Sequence, residues 1–328
     1  MRLLAVDDDP LILDLLPIVF RQANLPQITV ASSGPDALEM LSDPETEVDG
    51  LILDIEMPEM TGIELCRKIR AMPRYRHTPI LMLTSVSDST RIERAFAAGA
   101  DDYITKPFDV KEIATRVRVA ERMTEKSVNA PVLDPEQRSE NAVEGRHHFD
   151  ITEPVRLVGA EKLILPFALG NYLSQLSRRY LDDCSIFALR ITDIDHVFAS
   201  CKTHEYARAL AGMVSAVNRV VACPNLLMAY EGDGMFLCIT QGKEPPAWPE
   251  IEDMILEALS EENICFDDGH PIRIDIAVGN PVTPNASRNQ RVKKTFDRAK
   301  DRAFNREKIK NRQHGKSAKA GGPGKFLS

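Results

Sequence analysis

The chain has 328 residues, 43% of them hydrophobic and 27% charged, with 21 prolines, 17 glycines and a formal net charge of −8. This composition excludes collagen, coiled rods and whole-chain disorder, and the length suggests about two domains. No apolar run reaches the roughly 18 residues of a membrane span and no signal peptide precedes the first strand-like run, so a cytoplasmic protein without membrane insertion is expected.

Short apolar runs alternate with helical patterns over the first 120 residues. Runs at 3–6, 28–31, 51–53, 80–83 and 102–104 read as strands. Helical spacing follows each of them, at 10–23, 35–41, 63–72, 89–98 and 110–122. In the first helix Leu11, Leu15, Leu16 and Val19 carry the period. Continuous rather than alternating apolar strands predict burial on both faces, which a doubly wound parallel sheet provides.

Residues 125–160 read as a linker. The stretch 127–144 has little apolar periodicity and contains Pro131 and Pro135. His147, His148 and Asp150 follow and read as solvated side chains rather than a metal site. A second domain is expected over 161–312. It has helical patterns at 167–180, 205–221, 251–260 and 291–310, and strands at 186–191, 226–230, 235–239 and 272–278. The turn Glu231-Gly232-Asp233-Gly234 between two of these strands signals a hairpin. An α/β domain with a mainly antiparallel sheet satisfies this order. The last segment, 313–328, is rich in Gly and Lys and is expected to be a disordered basic tail. From residue 288 onward there are 14 Lys or Arg against 3 Asp or Glu, leaving −19 on the rest of the chain. Six cysteines, at 66, 184, 201, 223, 238 and 265, form no CxxC pair and read as buried thiols.

Ligands of doubly wound sheets bind beyond the carboxyl ends of the strands. Asp7 and Asp8 follow the first strand there, and Asp54 ends the third. Three crowded carboxylates require a hard cation, and Mg²⁺ suits such oxygen ligands. It would orient a phosphoryl group, and a carboxylate can accept one covalently. Thr84 at the end of the fourth strand and Lys106 after the fifth could contact phosphoryl oxygens.

The segments Val6-Asp7-Asp8-Asp9-Pro10, Leu53-Asp54-Ile55-Glu56-Met57-Pro58, Leu83-Thr84-Ser85 and Lys106-Pro107-Phe108 resemble the receiver domain of two-component response regulators across residues 1–124. The resemblance implies a flavodoxin-like strand order and phosphorylation of Asp54 by a histidine kinase or phosphotransfer protein. It implies Mg²⁺ on Asp7, Asp8, Asp54 and the backbone carbonyl of Glu56. Thr84 and Tyr103 match its switch positions and Lys106 its phosphate contact.

In the second domain, Ile191-Thr192-Asp193-Ile194-Asp195-His196 and Tyr230-Glu231-Gly232-Asp233-Gly234-Met235 resemble the diguanylate cyclase domain, named for its GGDEF turn. Asp193 and Asp233 stand at that family's metal positions and could hold a residual ion. Gly234 replaces its second acidic residue, and Glu231 replaces a glycine that lets phosphates approach. Cys201 and Leu210 replace its guanine contacts, and Ala222-Cys223-Pro224-Asn225 replaces its product-binding Arg-x-x-Asp. The resemblance therefore implies a degenerate output domain, inactive as a cyclase, that does not bind cyclic di-GMP. The expected function is a phosphorylated response regulator signalling through an unidentified downstream protein or a homodimer. It would not be an enzyme beyond its own phosphoryl transfer, and nucleic acid is not the expected partner. The alternatives are a weak or altered nucleotide-binding output on Asp193 and Asp233, or a DNA-binding regulator acting through the basic C-terminal segment.

Overall fold

The computed structural model describes all residues except 86–88, 126–129, 140, 243–244, 248, 285–289 and 321–328. The chain divides into two compact units. The first takes Met1–Pro131 together with Phe167–Gln175, and the second takes Val132–Pro166 with Leu176–Ser328.

In the first unit five strands alternate with five helices: β1 (Arg2–Val6), α1 (Pro10–Gln22), β2 (Gln27–Ala31), α2 (Gly34–Ser42), β3 (Gly50–Asp54), α3 (Gly62–Ala71), β4 (Ile80–Thr84), α4 (Ser89–Ala97), β5 (Asp102–Thr105) and α5 (Val110–Glu125). The sheet is parallel throughout, in the order β2-β1-β3-β4-β5. This is the doubly wound, flavodoxin-like sheet expected from the continuous apolar runs. Every residue of β3 and β4 is buried. Side chains alternate across the sheet, so Leu3, Ala5, Ile52, Leu81, Leu83 and Ile104 meet α1 and α5 in one core cluster, through Leu16, Phe20, Ile113 and Val117. Local chemistry sets the helix starts. Asp9 Oδ1 accepts from the Leu11 N–H at 2.9 Å with Pro10 in the first turn, and Thr61 forms a capping box with Glu64. A Cβ at Gly62 would run into the carbonyl oxygen of Asp54, so only glycine lets α3 start this close to the end of β3.

The second unit begins with short strands β6 (Val132–Leu133), β7 (Arg156–Leu157) and β8 (Leu163–Ile164). Helix α6 (Pro166–Gln175) follows, most of it grouped with the first unit. Then come α7 (Arg178–Asp182), β9 (Cys184–Ile191), α8 (Ile194–Ser200), α9 (Thr203–Val221), β10 (Asn225–Tyr230), β11 (Met235–Gln241), α10 (Glu250–Glu261), β12 (Ile276–Val278) and α11 (Arg291–Ala320). The main sheet runs β12-β9-β11-β10-β8. Its pairings are antiparallel except β10 with β8.

Four expectations change here. The helix expected over 167–180 breaks at Leu176, whose backbone is extended and whose carbonyl accepts from the Arg291 guanidinium at 3.0 Å. Residues 132–160, read from the sequence as linker, place Leu133, Phe149, Val155 and Leu157 in the core of the second unit. Such scattered apolar residues have no period to reveal them. His147 is not a solvated side chain. Its Nε2 lies 2.8 Å from the Phe198 carbonyl and its Nδ1 3.1 Å from Thr203 Oγ1, and its ring stacks on Phe198 at 4.0 Å. Burial lowers its pKa. The tail expected from 313 is helical to Ala320, and 321–328 lie outside the described residues. The five cysteines 66, 184, 201, 223 and 238 are buried and Cys265 is half-buried, all as free thiols.

Candidate metal and phosphoryl-acceptor centre

Strand register brings the acidic residues together. Val6 pairs with Leu53, so the next residues of the two segments, Asp7 and Asp54, come level. Asp54 pairs with Leu83, the neighbour of Thr84, and Thr84 pairs with Thr105, the neighbour of Lys106. Asp7, Asp8 and Asp54 each offer a carboxylate oxygen within 4.8 Å of the others. Asp7 is fully buried, Asp54 nearly so, and Asp8 is exposed.

The Lys106 ammonium stands between the buried pair, 2.7 Å from Asp7 Oδ2 and 2.5 Å from Asp54 Oδ1. Backbone donors hold the other oxygens: Glu56 N–H reaches Asp54 Oδ2 at 2.8 Å and Asp9 N–H reaches Asp7 Oδ1 at 3.0 Å. Burial pushes the Asp54 carboxyl up to about 6 against the pull of Lys106. Burial also pulls Lys106 down, but its bonds to Asp54 and Asp7 outweigh that and hold it above its usual value. The donor set is all oxygen, with three carboxylates on one open edge. It fits Mg²⁺, and this is the acidic cluster typical of a receiver's Mg²⁺ site.

Thr84 is buried at the end of β4, and its carbonyl accepts from the Lys106 N–H at 2.7 Å. Tyr103 is buried in β5, edge-on to Phe96 with ring centres 6.2 Å apart. A cleft opens beside the cluster, with Asp8, Glu56 and Met57 among its lining residues and Arg67, Arg91 and Arg94 supplied by α3 and α4. The Glu56 side chain pairs with Arg91 and accepts from Ser85 Oγ at 3.2 Å. The arginines were not singled out from the sequence. Their signal was the repeat of Arg91 and Arg94 on one face of α4.

The residues picked out in the second unit do not gather into a comparable site. Asp193 is exposed just before α8. Asp233 Oδ2 is paired with Arg190 at 3.1 Å, and the Asp233 N–H donates to the Ile151 carbonyl at 2.7 Å. Glu231 is paired with Lys300 at 3.0 Å. Gly232 lies so close to Thr152 that a Cβ there would meet its backbone, and the Gly234 N–H donates to Tyr230 Oη. The turn is thus covered by residues 151–152 and its charges are already matched. Among the described residues, the other cluster with metal-ligating spacing is His204, Glu205 and Asp267. There Asp267 accepts from His204 Nε2 at 2.9 Å and pairs with Lys202 at 3.1 Å. The His204 bond is the main reason its carboxyl lies well below the usual range. Glu205 accepts from the Lys202 and Asp267 N–H groups. This cluster is a closed ion-pair node.

Residues 3–118 match the family model described as the response regulator receiver domain. Three curated relatives match over the same end. The DNA-binding response regulator MtrA of Mycolicibacterium smegmatis is 39% identical over 38% of this chain and 52% of its own. The transcriptional regulatory protein SrrA of Staphylococcus aureus is 34% identical over 44% of this chain and 57% of its own. The DNA-binding dual master transcriptional regulator RpaA of Synechocystis is 37% identical over 38% and 51%. The chain spans about half the length of these relatives.

These names correct the reading of the output. The relatives are transcriptional regulators rather than receivers fused to a diguanylate cyclase, so neither the degenerate GGDEF identity nor signalling through it stands. The expectation against nucleic acid falls with it. No helix among the described residues is long and apolar enough to cross a membrane. Sheet order, acidic cluster and family match coincide over one stretch, residues 3–118, which is similar to the response regulator receiver domain in all three.

Proposed function

We propose that the chain is a phosphorylation-controlled, DNA-binding transcriptional regulator. Asp54 is the phosphoryl acceptor. Its carboxylate oxygen attacks the phosphorus of a phosphohistidine on a kinase or phosphotransfer protein. The P–N bond breaks, the imidazole leaves with a proton, and an acyl phosphate forms on Asp54. Asp7, Asp8, Asp54 and the Glu56 carbonyl would hold Mg²⁺, which would neutralise charge on the transferring phosphoryl group. Lys106 turns its ammonium from the paired carboxylates to a phosphoryl oxygen, and the Thr84 hydroxyl donates to another. Tyr103 then repacks into the space Thr84 leaves. The chain's only chemistry is this transfer to itself, in keeping with relatives named as regulators. The observation that carries the reading is Lys106 bridging Asp7 and Asp54 in a domain whose relatives are named as DNA-binding.

The outer face of α11 is the DNA contact we propose. Its inner cations are already engaged within the unit: Lys300 by Glu231, Arg306 by Glu252 and Lys310 by Asp275. Lys293, Lys294, Arg298, Lys308 and Arg312 are exposed along the helix and fall within one arc of it, where they outnumber the exposed Asp297 and Asp301. Such a row can neutralise phosphates without reading bases. The test is a gel shift of phosphorylated and unphosphorylated chain on duplex DNA at stepped salt, alongside intact mass after a phosphodonor. Phosphoryl addition to wild type but not to Asp54→Asn, with salt-sensitive retardation, is expected. Absence of DNA binding in both states at low salt would sink the output assignment.

A further inference from the structure

Helix α6 is an element of one unit's chain built into the other. The chain leaves the second unit at Pro166, places Phe167–Gln175 in the first, and returns at Leu176. Three of its side chains hold it there. The Tyr172 ring, buried, stands edge-on to Phe96 of α4 with centres 5.5 Å apart. Asn171 Nδ2 donates to the Asp101 carbonyl at 3.0 Å, just before β5. Gln175 Nε2 donates to Asp102 Oδ1, and the second oxygen of that carboxylate accepts from Arg116 of α5 at 3.0 Å. The helix therefore touches α4 and the start of β5 directly, and reaches α5 through a shared carboxylate.

Phe96 is the pivot. It packs edge-on against Tyr172 on one side and against Tyr103 on the other. Ring pairs of this kind are directional, so moving Tyr103 removes the ring that orients Phe96, the surface on which Tyr172 is seated. We infer that α6 is the element through which the phosphorylation state of Asp54 reaches the second unit: it is seated on the α4–β5 face in the unphosphorylated chain and loosened when Asp54 is phosphorylated. The inference rests on Asp54 being the phosphoryl acceptor and is independent of what the second unit binds. Because both ends of α6 continue covalently into the second unit, a change in its seating is felt there at two points of the chain. Linkage makes the effect reciprocal, so weakening the seat favours the phosphorylated arrangement.

The full chain is incubated with Mg²⁺, with and without acetyl phosphate, which passes its phosphoryl group to Asp54 and releases acetate. Amide hydrogen exchange is then followed over 166–175, with intact mass as the control for phosphorylation. Phosphorylation should speed exchange of this segment roughly tenfold, within the range typical of coupled sites. Asp54→Asn should show no response. Tyr172→Ala removes the ring contact, and Asn171→Ala removes only a polar one and should leave the fold intact. In both, unphosphorylated exchange over 166–175 should move toward the phosphorylated wild-type rate. Added phosphoryl mass with unchanged exchange over 166–175 overturns the coupling alone, and so does wild-type exchange in both variants. No added mass overturns the acceptor role of Asp54 and this inference with it. Loss of DNA binding with the exchange response intact overturns only the output assignment.

Discussion

Two buried carboxylates share one ammonium at Lys106, and removing that cation leaves Asp7 and Asp54 facing each other without compensation. Lys106→Met should lower the stability of the first unit by roughly 3 kcal/mol, the usual cost of breaking a buried pair. Millimolar Mg²⁺ should restore much of it, because the cation takes over the charge. Urea unfolding with and without Mg²⁺ measures both, and equal losses in the two conditions would refute the shared-charge account. A second buried carboxyl, Asp102, is pushed by burial up to about 6 from 3.8, against the opposing pull of Arg116. Its folded form binds a proton more tightly than the unfolded chain does. The contribution to stability is therefore full below the unfolded value and is lost as pH rises through about 6. Asp102→Asn removes this slope, so melting of the variant relative to wild type should improve between about pH 4.5 and about pH 7.5. Parallel melting curves across that window would count against it. Sequence order placed Asp7, Asp8, Asp54, Thr84 and Lys106 at strand ends. The side-chain pairings of Asp102 were not legible, because its partners Arg116 and Gln175 stand 14 and 73 residues away.

Helix α11 carries two kinds of cation. Arg306 faces inward and binds Glu252, whose carboxylate is 2% exposed and also accepts from the Val278 N–H. Arg306→Ala should cost roughly 3 kcal/mol by leaving a buried charge short of its partner. Replacing Lys293, Lys294 and Arg298 by Ala should change stability by less than about 0.5 kcal/mol each. Chemical denaturation separates the two classes, and equal losses would erase the distinction between inner and outer faces. The apolar stripe of this helix was readable: Phe296, Ala299 and Ala303 recur at helical spacing and are buried. Which cations turn inward was not, since that depends on Glu231, Glu252 and Asp275, each in a different segment of the chain. Likewise, the period over 167–180 marked a helix but carried no sign of the break at Leu176. At that break the Leu176 carbonyl accepts from an arginine 115 residues further on.

For the molecule as a whole, the parallel unit was legible almost throughout, because continuous apolar runs and short connections admit few topologies. The second unit was legible as strands and helices, while the covering of its hairpin turn by residues 151–152 was not. On the proposed DNA contact, affinity should fall with salt at a slope near −0.9 per phosphate neutralised, about −4.5 for the five exposed cations of α11. The triple alanine variant should reduce that slope by close to 3. An unchanged slope would place the nucleic-acid contact elsewhere. The insertion of residues 167–175 also bears on how the molecule can be dissected. A fragment ending near residue 125 would carry all five parallel strands yet expose the Phe96 edge and leave Asp102 without the amide of Gln175. Excising residues 1–125 therefore does not yield a smaller copy of the parent: it bares an aromatic patch that α6 covers in the intact chain, and such a piece invites self-association through that patch.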